Sequence, residues 1–171
     1  MNHRGSASIK TERLTLRKLE AKDAASLFCL GALGATREEA DGFMRDMVAA
    51  YSDPAYYHWG IAYDSAVIGR IRVTELSERD RFVQLGYDMA GEFRNRGFMT
   101  EAVRAVTRFL FDEVGVNRIY VLIRAHNTAS IRVAQKSGMT WEGCMRRHYI
   151  ENDGTYTDVN VYGILKEECP K

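Results

Sequence analysis

The sequence has few of the residues that mark disulfide frameworks, metal sites or flexible linkers. It contains three cysteines and two prolines among 171 residues. Cys29, Cys144 and Cys169 lie far apart, are odd in number and form no CxxC pair, which disfavours both a disulfide framework and a zinc site. The four histidines are also scattered, without a closely spaced pair. We therefore expect no metal, and thiols that are buried or incidental.

An excess of charge of either sign is lacking too, because 24 Lys and Arg residues stand against 23 Asp and Glu residues. This balance gives no reason to expect a nucleic-acid or anionic-membrane partner. No apolar run approaches the roughly 20 residues of a membrane span. Residues 1–8 are polar, unlike the apolar core of a signal peptide. We therefore expect a cytoplasmic protein.

Linkers, internal repeats and low-complexity tracts are also missing. A chain of this length can bury a sizeable core by itself. We predict a single domain over residues 1–171, in which residues 1–8 are flexible.

Hydrophobic periodicity predicts strands and helices before residue 90. Leu14 and Leu16 alternate with polar neighbours, as in a half-buried strand. Later segments are rich in aromatic and β-branched residues, and Asp64-Ser65 separates the first two as a tight turn. The predicted elements are a strand at 9–18, helices at 23–33 and 37–51 with a break at Gly31 and Gly34, and an antiparallel meander at 56–63, 66–75 and 81–89.

The second half of the chain has the pattern of a β-α-β crossover. A long amphipathic helix ends at Gly115, a β-rich run follows at residues 118–124, and a short helix at 128–137 ends at Gly138. Two final strands are joined by a hairpin turn at Asp153-Gly154. A crossover beside antiparallel strands predicts an α+β domain, with a mixed sheet and helices on its faces.

The basic loop ahead of the long helix is the most informative segment. The first N–H groups of a helix lack partners and carry partial positive charge, so they can hold a pyrophosphate, and glycine lets the backbone approach it closely. Many helix starts look similar and bind nothing, so the loop alone is weak evidence. Its arginines could contact phosphate or could simply be solvated. The loop reads Arg94-Asn95-Arg96-Gly97-Phe98-Met99-Thr100.

A second motif lies one strand downstream, where Asn127 and Ser130 begin the short helix. With it, the chain resembles the GNAT superfamily of acetyl-coenzyme-A-dependent N-acetyltransferases, and within it the branch that acetylates N-terminal amines of ribosomal proteins. The resemblance covers nearly the whole domain, in the family's motif order. The segments that carry it are TERLTLRKLEAKDAASLF, LGYDM, RNRGFMTEA, NTASIRVAQKSGM and DGTYTDVNVYGIL.

The resemblance implies a mostly antiparallel mixed sheet that is splayed open beside its central strand, with acetyl-CoA in the gap. The pantetheine arm would lie along the central strand, where the Met89 N–H would polarise the thioester carbonyl. The pyrophosphate would lie on the basic loop. The implied cofactor-binding residues are Tyr87, Asp88, Met89, Arg94, Asn95, Arg96, Gly97, Phe98, Met99, Thr100, Asn127 and Ser130.

Three positions depart from the family pattern. Met99 stands where Gly or Ala is usual, and we expect its side chain to turn into the core. Ala134 stands where many members have a tyrosine as general acid, which leaves Ser130 as the candidate to donate a hydrogen bond to the departing thiolate. Gln84 stands where a carboxylate is common, so the general base is unassigned.

Simpler roles remain open for several of these residues. Asn127 could be an N-cap with Ser130 as its third-residue partner, and both roles can hold at once. Asp88 and Glu92 could act as bases through water, whereas Glu101 would support the start of the long helix. Arg132 and Lys136 are most simply a solvated helix face.

The expected function is acetyl transfer from acetyl-CoA to a primary amine, foremost a protein or peptide N-terminal α-amine, by direct attack in a ternary complex. The alternatives are a small amine such as an antibiotic, amino acid or polyamine, and a non-catalytic acyl-CoA-binding module. Residues 31–55 would form much of the acceptor side. A homodimer through an exposed strand near the C-terminus is also left open.

Overall fold

The computed structural model describes residues 1–29 and 36–169, and in them eight strands form one sheet that four α-helices cover. The predicted break at Gly31 and Gly34 lies outside the described residues. The strands are β1 Ile9–Lys10, β2 Thr15–Arg17, β3 His58–Tyr63, β4 Ala66–Ser77, β5 Phe82–Met89, β6 Arg118–Arg124, β7 Thr140–Ile150 and β8 Tyr156–Leu165. The helices are α1 Ala24–Cys29, α2 Arg37–Ala50, α3 Phe98–Phe109 and α4 Thr128–Lys136.

The sheet is mixed and splays open at its centre. Its strand order is β1-β2-β3-β4-β5-β6-β8-β7, and β5 with β6 forms the one parallel pair among the described strands. That pairing joins only Phe82, Val83 and Gln84 to residues 118–120 of β6. Beyond Gln84 the two strands separate, which leaves a gap beside residues 85–89. The predicted mixed, splayed sheet is confirmed.

Helices pack on both faces of this sheet, as predicted. On one face, Trp59 of β3 meets Phe109 of α3 edge to face, with ring centroids 5.8 Å apart, and Ala134 of α4 joins the same core. On the other face, Met44 and Met47 of α2 pack with residues that include Val67 of β4. Because successive side chains of a strand point to opposite faces, the sheet contributes residues to both cores.

Helix α3 has the amphipathic pattern that the sequence predicts. Ala102, Val103 and Val106 are fully buried on one face, and the helix continues as a π turn over Leu110–Val114. Gly115 ends it with φ 83°, a left-handed conformation that costs glycine little. The predicted end of the long helix is therefore confirmed.

Both predicted hairpin turns are present. Asp64 and Ser65 take φ values of 47° and 70° between β3 and β4, the backbone of a tight turn that matches strand twist. Gly154 has φ 82° between β7 and β8. These turns keep the strands antiparallel on either side of the central gap.

The prediction of one strand over residues 9–18 is wrong. The chain reverses in the middle of this segment, so that β1 and β2 pair with each other, Ile9 opposite Leu16. The Thr11 N–H donates to the Leu14 carbonyl at 3.0 Å, and the Leu14 N–H donates to the Thr11 hydroxyl at 3.0 Å. A side-chain hydrogen bond makes this turn, and hydrophobic alternation carries no signal for it.

Residues 1–8, which the sequence predicts to be flexible, lie against β3 through hydrogen bonds. The Ser6 hydroxyl accepts a bond of 2.7 Å from the His58 N–H. The Trp59 indole donates to the Ala7 carbonyl at 2.8 Å, and the Gly5 N–H donates to the Pro54 carbonyl at 2.8 Å. Their polar composition hid these long-range partners. Among the described residues, no helix combines the length and apolar character that crossing a membrane requires.

Candidate active site

The backbone of β5 turns polar groups into the central gap. The Ala90 N–H donates to the Ile68 carbonyl of β4 at 3.0 Å. Because successive residues of an extended strand turn their backbone groups to opposite sides, the Met89 N–H points away from β4 and into the gap. The Met89 carbonyl, on the same side, accepts a bond of 2.9 Å from Nε of Arg94. An elongated amide-bearing ligand can pair with an unpaired group of a strand edge, such as the Met89 N–H.

The loop before α3 presents free backbone N–H groups. Gly97 is the N-cap, with φ 82° and no side chain to cap the helix. Asn95 is also left-handed, at φ 60°. The first intrahelical bond is that of the Glu101 N–H to the Gly97 carbonyl, at 3.0 Å. The N–H groups of residues 98–100 therefore lack helical acceptors, and the loop can hold an anion such as pyrophosphate.

The two loop arginines occupy different surroundings. Arg94 bonds the end of β5 and lines the gap. Arg96 instead stacks on aromatic rings, with its guanidinium 5.0 Å from the Phe98 centroid and 5.7 Å from that of Phe93. The structure does not place Arg96 among the residues that line the gap, and cation–π contacts hold its guanidinium instead.

An interaction network that the sequence did not reveal supports the loop from the turn between β1 and β2. Arg13 donates to the Arg96 carbonyl at 3.1 Å and pairs with Glu101 at 2.7 Å. Glu101 also accepts a bond of 2.5 Å from the Thr11 hydroxyl. Burial alone would raise the pKa of Glu101, but the hydrogen bonds from Thr11 and Arg13 lower it. The structure thus gives Glu101 its expected supporting contacts.

The start of α4 forms the opposite wall of the gap. The Asn127 side chain accepts from the Ser130 N–H at 3.1 Å, so Asn127 is the N-cap. This bond uses the backbone N–H of Ser130 and not its hydroxyl. The Tyr87 hydroxyl donates to the Ser130 carbonyl at 3.3 Å and thereby joins β5 to α4. Burial raises the pKa of Tyr87, so its hydroxyl stays protonated.

Eleven of the twelve predicted cofactor-binding residues line one cleft of about 300 Å³, and Arg96 is the exception. Arg132 and Lys136 line it too, although the sequence favours a solvated face for them. Their spacing places them on one helix face with Ala129 and Val133. This helical spacing could have predicted that Arg132 and Lys136 line the cleft. The eleven are Tyr87, Asp88, Met89, Arg94, Asn95, Gly97, Phe98, Met99, Thr100, Asn127 and Ser130.

The positions that depart from the family pattern do not fill the cleft with bulky groups. The Met99 side chain lies in the core, as expected, with 7% of the residue exposed. Ala134, a residue of α4, is fully buried. In the described residues, no group of three or more His, Cys, Asp or Glu side chains is placed to hold a metal ion.

Asp88 is the one carboxylate on the described lining of the cleft. Nε of Arg70 donates to both of its oxygens, at 3.0 and 2.9 Å, and Nη1 of Arg72 donates to Oδ2 at 3.0 Å. Glu92, the other candidate base, is exposed and does not line the cleft. The described lining of the cleft therefore offers no unpaired carboxylate to an acceptor amine.

Comparison with known proteins identifies the family. The acetyltransferase (GNAT) domain family matches residues 13–140. The N-acetyltransferase YoaA of Bacillus subtilis (strain 168), itself uncharacterized, is 30% identical over 92% of this chain and 96% of its own. The ribosomal-protein-serine acetyltransferase of Escherichia coli (strain K12) is 25% identical over 60% of this chain and 56% of its own. A GNAT-family acetyltransferase structure from Bacillus anthracis superposes with a TM-score of 0.81, at 25% identity, over 95% of this chain and all of its own.

This chain belongs to the GNAT acetyltransferase family. It is an acetyl-CoA-dependent N-acetyltransferase, and acetyl-CoA is its acetyl donor. The predictions of family, enzyme class and donor are thereby confirmed.

Proposed function

We propose that the protein acetylates the N-terminal α-amine of a protein or peptide, by direct attack of the amine on acetyl-CoA in a ternary complex. The observation that carries the proposal is the pairing of Asp88 with Arg70 and Arg72, which leaves the described lining of the cleft without an unpaired carboxylate base. An acceptor that loses its proton easily suits such a site. The E. coli relative that is named for acetylating a ribosomal protein supports the same acceptor class.

The ordinary pKa values of amines rank the possible acceptors. An α-amine titrates near 7.7–8.0, whereas a lysine side chain titrates near 10.4. Presenting the neutral amine at pH 7 therefore costs about 1 kcal/mol for the former and about 4–5 kcal/mol for the latter. Without a strong base, the α-amine reacts more readily.

The residues of the gap take three roles in this proposal. The N–H groups of residues 98–100 hold the pyrophosphate. The Met89 N–H stabilises the oxyanion that develops on the thioester carbonyl. The Ser130 hydroxyl donates a hydrogen bond to the departing thiolate, which is a modest base and needs no stronger acid.

The cysteines give no support to a covalent acetyl-enzyme. Cys144 is exposed and Cys169 is half-buried, and neither lines the cleft. The side chain of Cys29 lies outside the described part of the structure. The described lining of the cleft therefore offers no cysteine to carry the acetyl group, which supports direct transfer in a ternary complex.

The test is acetyl-CoA consumption across a panel of peptides and small amines, measured by release of the free thiol. We expect peptides with a free α-amine to stimulate release and to gain one acetyl group at the N-terminus by fragment mass spectrometry. The matched control is the same peptide with a blocked α-amine and a free lysine. Stimulation by small amines alone, or by the blocked peptide equally, would exclude the proposed acceptor.

A further inference from the structure

A charged cluster lies on the α2 side of the sheet, next to the end of β5. Arg70 and Arg72 of β4 lie opposite Asp88 and Gly86 of β5. Asp88 immediately precedes Met89, whose N–H points into the gap, and it lines the cleft. The cluster therefore lies where an acceptor would approach the thioester from the side opposite α3.

Arg72 has hydrogen-bonding capacity to spare. Its side chain is 34% exposed, and among the described residues its one recorded carboxylate contact is that of Nη1 with Asp88. Gly86 lies beneath the guanidinium, so that a Cβ there would be only 3.6 Å from Cζ. A guanidinium has five N–H donors in a fixed fork. Those not used on Asp88 can bind a second anion.

One carboxylate serves two guanidinium groups in the cluster, because Arg70 and Arg72 both pair with Asp88. His58 lies opposite Arg72 in the sheet and is buried. Burial and the two arginines lower the pKa of His58 to about 3, so the imidazole is neutral near pH 7. Residues 30–35, which the structure does not describe, are LGALGA and contain no charged side chain.

Phe43 of α2 adds an apolar wall beside the cluster. Its ring centroid lies 5.8 Å from the Arg70 guanidinium, and 42% of the residue is exposed. At about 3.3 Å per residue, Gly86 and Met89 are separated by roughly 10 Å along β5. An anionic group bound by Arg72 would therefore be separated from the reacting amine by several bonds. It would not be attached to the carbon that bears the amine.

We propose that the acceptor carries a carboxylate close to its reacting amine and that Arg72 binds this group, so that the enzyme selects acidic acceptors. The proposal rests on the proposed function, because it assumes that the acceptor binds on this side of the gap. An acidic side chain next to a peptide's free α-amine has the required chemistry. Arg72 then determines specificity, and Asp88 with Gly86 holds its guanidinium in place.

The test compares tetrapeptides Ser-Glu-Ala-Ala, Ser-Gln-Ala-Ala and Ser-Lys-Ala-Ala as acceptors of the intact enzyme. We expect kcat/KM to be about 10-fold or more higher for the Glu peptide than for the Gln peptide, as for a charge-assisted hydrogen bond. R72Q should bring this ratio close to unity, with the KM for acetyl-CoA unchanged, and R72K should restore part of it. R79Q is the matched control, because Arg79 is 95% exposed and distant from the gap.

Other outcomes separate this proposal from the proposed function. Equal kcat/KM for the Glu and Gln peptides, or a ratio that R72Q leaves unchanged, overturns the role of Arg72 while the peptide acceptor stands. If glutamate is acetylated and peptides are not, with the same dependence on Arg72, the peptide acceptor fails and the anion site stands. If no acceptor is turned over, calorimetry measures the affinity of the CoA-loaded protein for the N-acetylated Glu and Gln peptides. Equal affinity for the two peptides overturns the proposal. A preference for the acidic peptide that R72Q abolishes upholds it.

Discussion

Ser130 is a residue whose backbone and side chain have separate tasks. Its N–H satisfies the cap at Asn127, and its carbonyl accepts from Tyr87. Replacing the hydroxyl alone therefore leaves both structural bonds in place. We expect Ser130→Ala to lower kcat about 10²-fold, because the thiolate loses its hydrogen-bond donor. The KM for acetyl-CoA should change little, as steady-state kinetics would show.

Asn127→Ala is the comparison for this variant. It removes the cap itself and should lower the free energy of unfolding by about 1 kcal/mol. Ser130→Ala should stay within about 0.5 kcal/mol of the unmodified protein in the same denaturation experiment. An active Ser130→Ala enzyme that unfolds more easily would mean that Ser130 is structural.

His58 makes stability depend on pH. Burial, with Arg70 and Arg72 nearby, lowers its pKa to about 3, against about 6.5 in an unfolded chain. Below about pH 6.5 the His58 imidazole binds a proton in the unfolded chain but not in the folded protein. The free energy of unfolding therefore falls as the pH falls. Between pH 6.5 and 4.5, above most carboxyl titration, this one group would lower it by about 2 kcal/mol.

Chemical denaturation at several pH values measures this effect. His58→Asn should be less stable near pH 7, because it leaves space in a buried site, but its stability should depend less on pH between 6.5 and 4.5. The difference in slope should approach about 1.4 kcal/mol per pH unit. Parallel slopes for the two proteins would show that His58 is not the group responsible.

Residue by residue, the sequence predicted positions better than it predicted contacts. A motif places Gly97 and Asn127 correctly, because a helix start dictates local backbone geometry. It did not foresee that Arg96 stacks on aromatic rings or that Arg13 braces the loop, since both depend on partners distant in sequence. Asp88 was predicted on the cleft, but its two arginine partners were not.

At the scale of elements, the loop before α3 depends on a left-handed glycine. Gly97 has φ 82°, and a Cβ there would lie 3.3 Å from Nη2 of Arg13. We expect Gly97→Ala to lower stability by roughly 1–2 kcal/mol. The Kd for coenzyme A should rise on the order of 10-fold, because the N–H groups that hold the pyrophosphate shift. Thermal unfolding and calorimetry would measure the two effects.

Gly91→Ala is a matched control in the preceding turn. A Cβ on Gly91 meets nothing within 4 Å, and its φ is not left-handed. This variant should bind coenzyme A as the unmodified protein does. Unchanged affinity in Gly97→Ala as well would indicate that the loop backbone does not hold the pyrophosphate.

In the part of the chain that the structure describes, element boundaries followed the sequence where glycine or a tight turn marked them. Gly115 and Asp64-Ser65 mark such ends, because only a few residue types tolerate their backbone angles. The segment 9–18 was predicted as one strand because its alternation continues through a turn that the Thr11 hydroxyl makes. The hydrophobic pattern indicates on which face of a strand a residue lies, but it does not indicate where the chain reverses.

At the scale of the whole molecule, the single sheet has two halves that are joined at its centre. Strands β1–β5 and β6–β8 are linked by only three residue pairs, and the Tyr87–Ser130 bond adds a link across the gap. The sequence indicated this opening only through its family resemblance. The absence of hydrogen bonds between two strands does not change the local sequence propensity of either strand. The packing of residues 1–8 on β3 was hidden for a similar reason. The homodimer stays a prediction.

Coenzyme A is expected to stabilise the whole protein by joining these two halves. At about 100 times its Kd, a ligand that binds only the folded state adds about 2.7 kcal/mol to the free energy of unfolding. For a domain of this size, that raises Tm by roughly 5–10 °C. Amide hydrogen exchange should slow at residues 85–89 and at the start of α4 together, because the ligand contacts both walls. Pantetheine, which lacks the pyrophosphate, should stabilise less, and slower exchange on one wall alone would argue against a ligand that spans the gap.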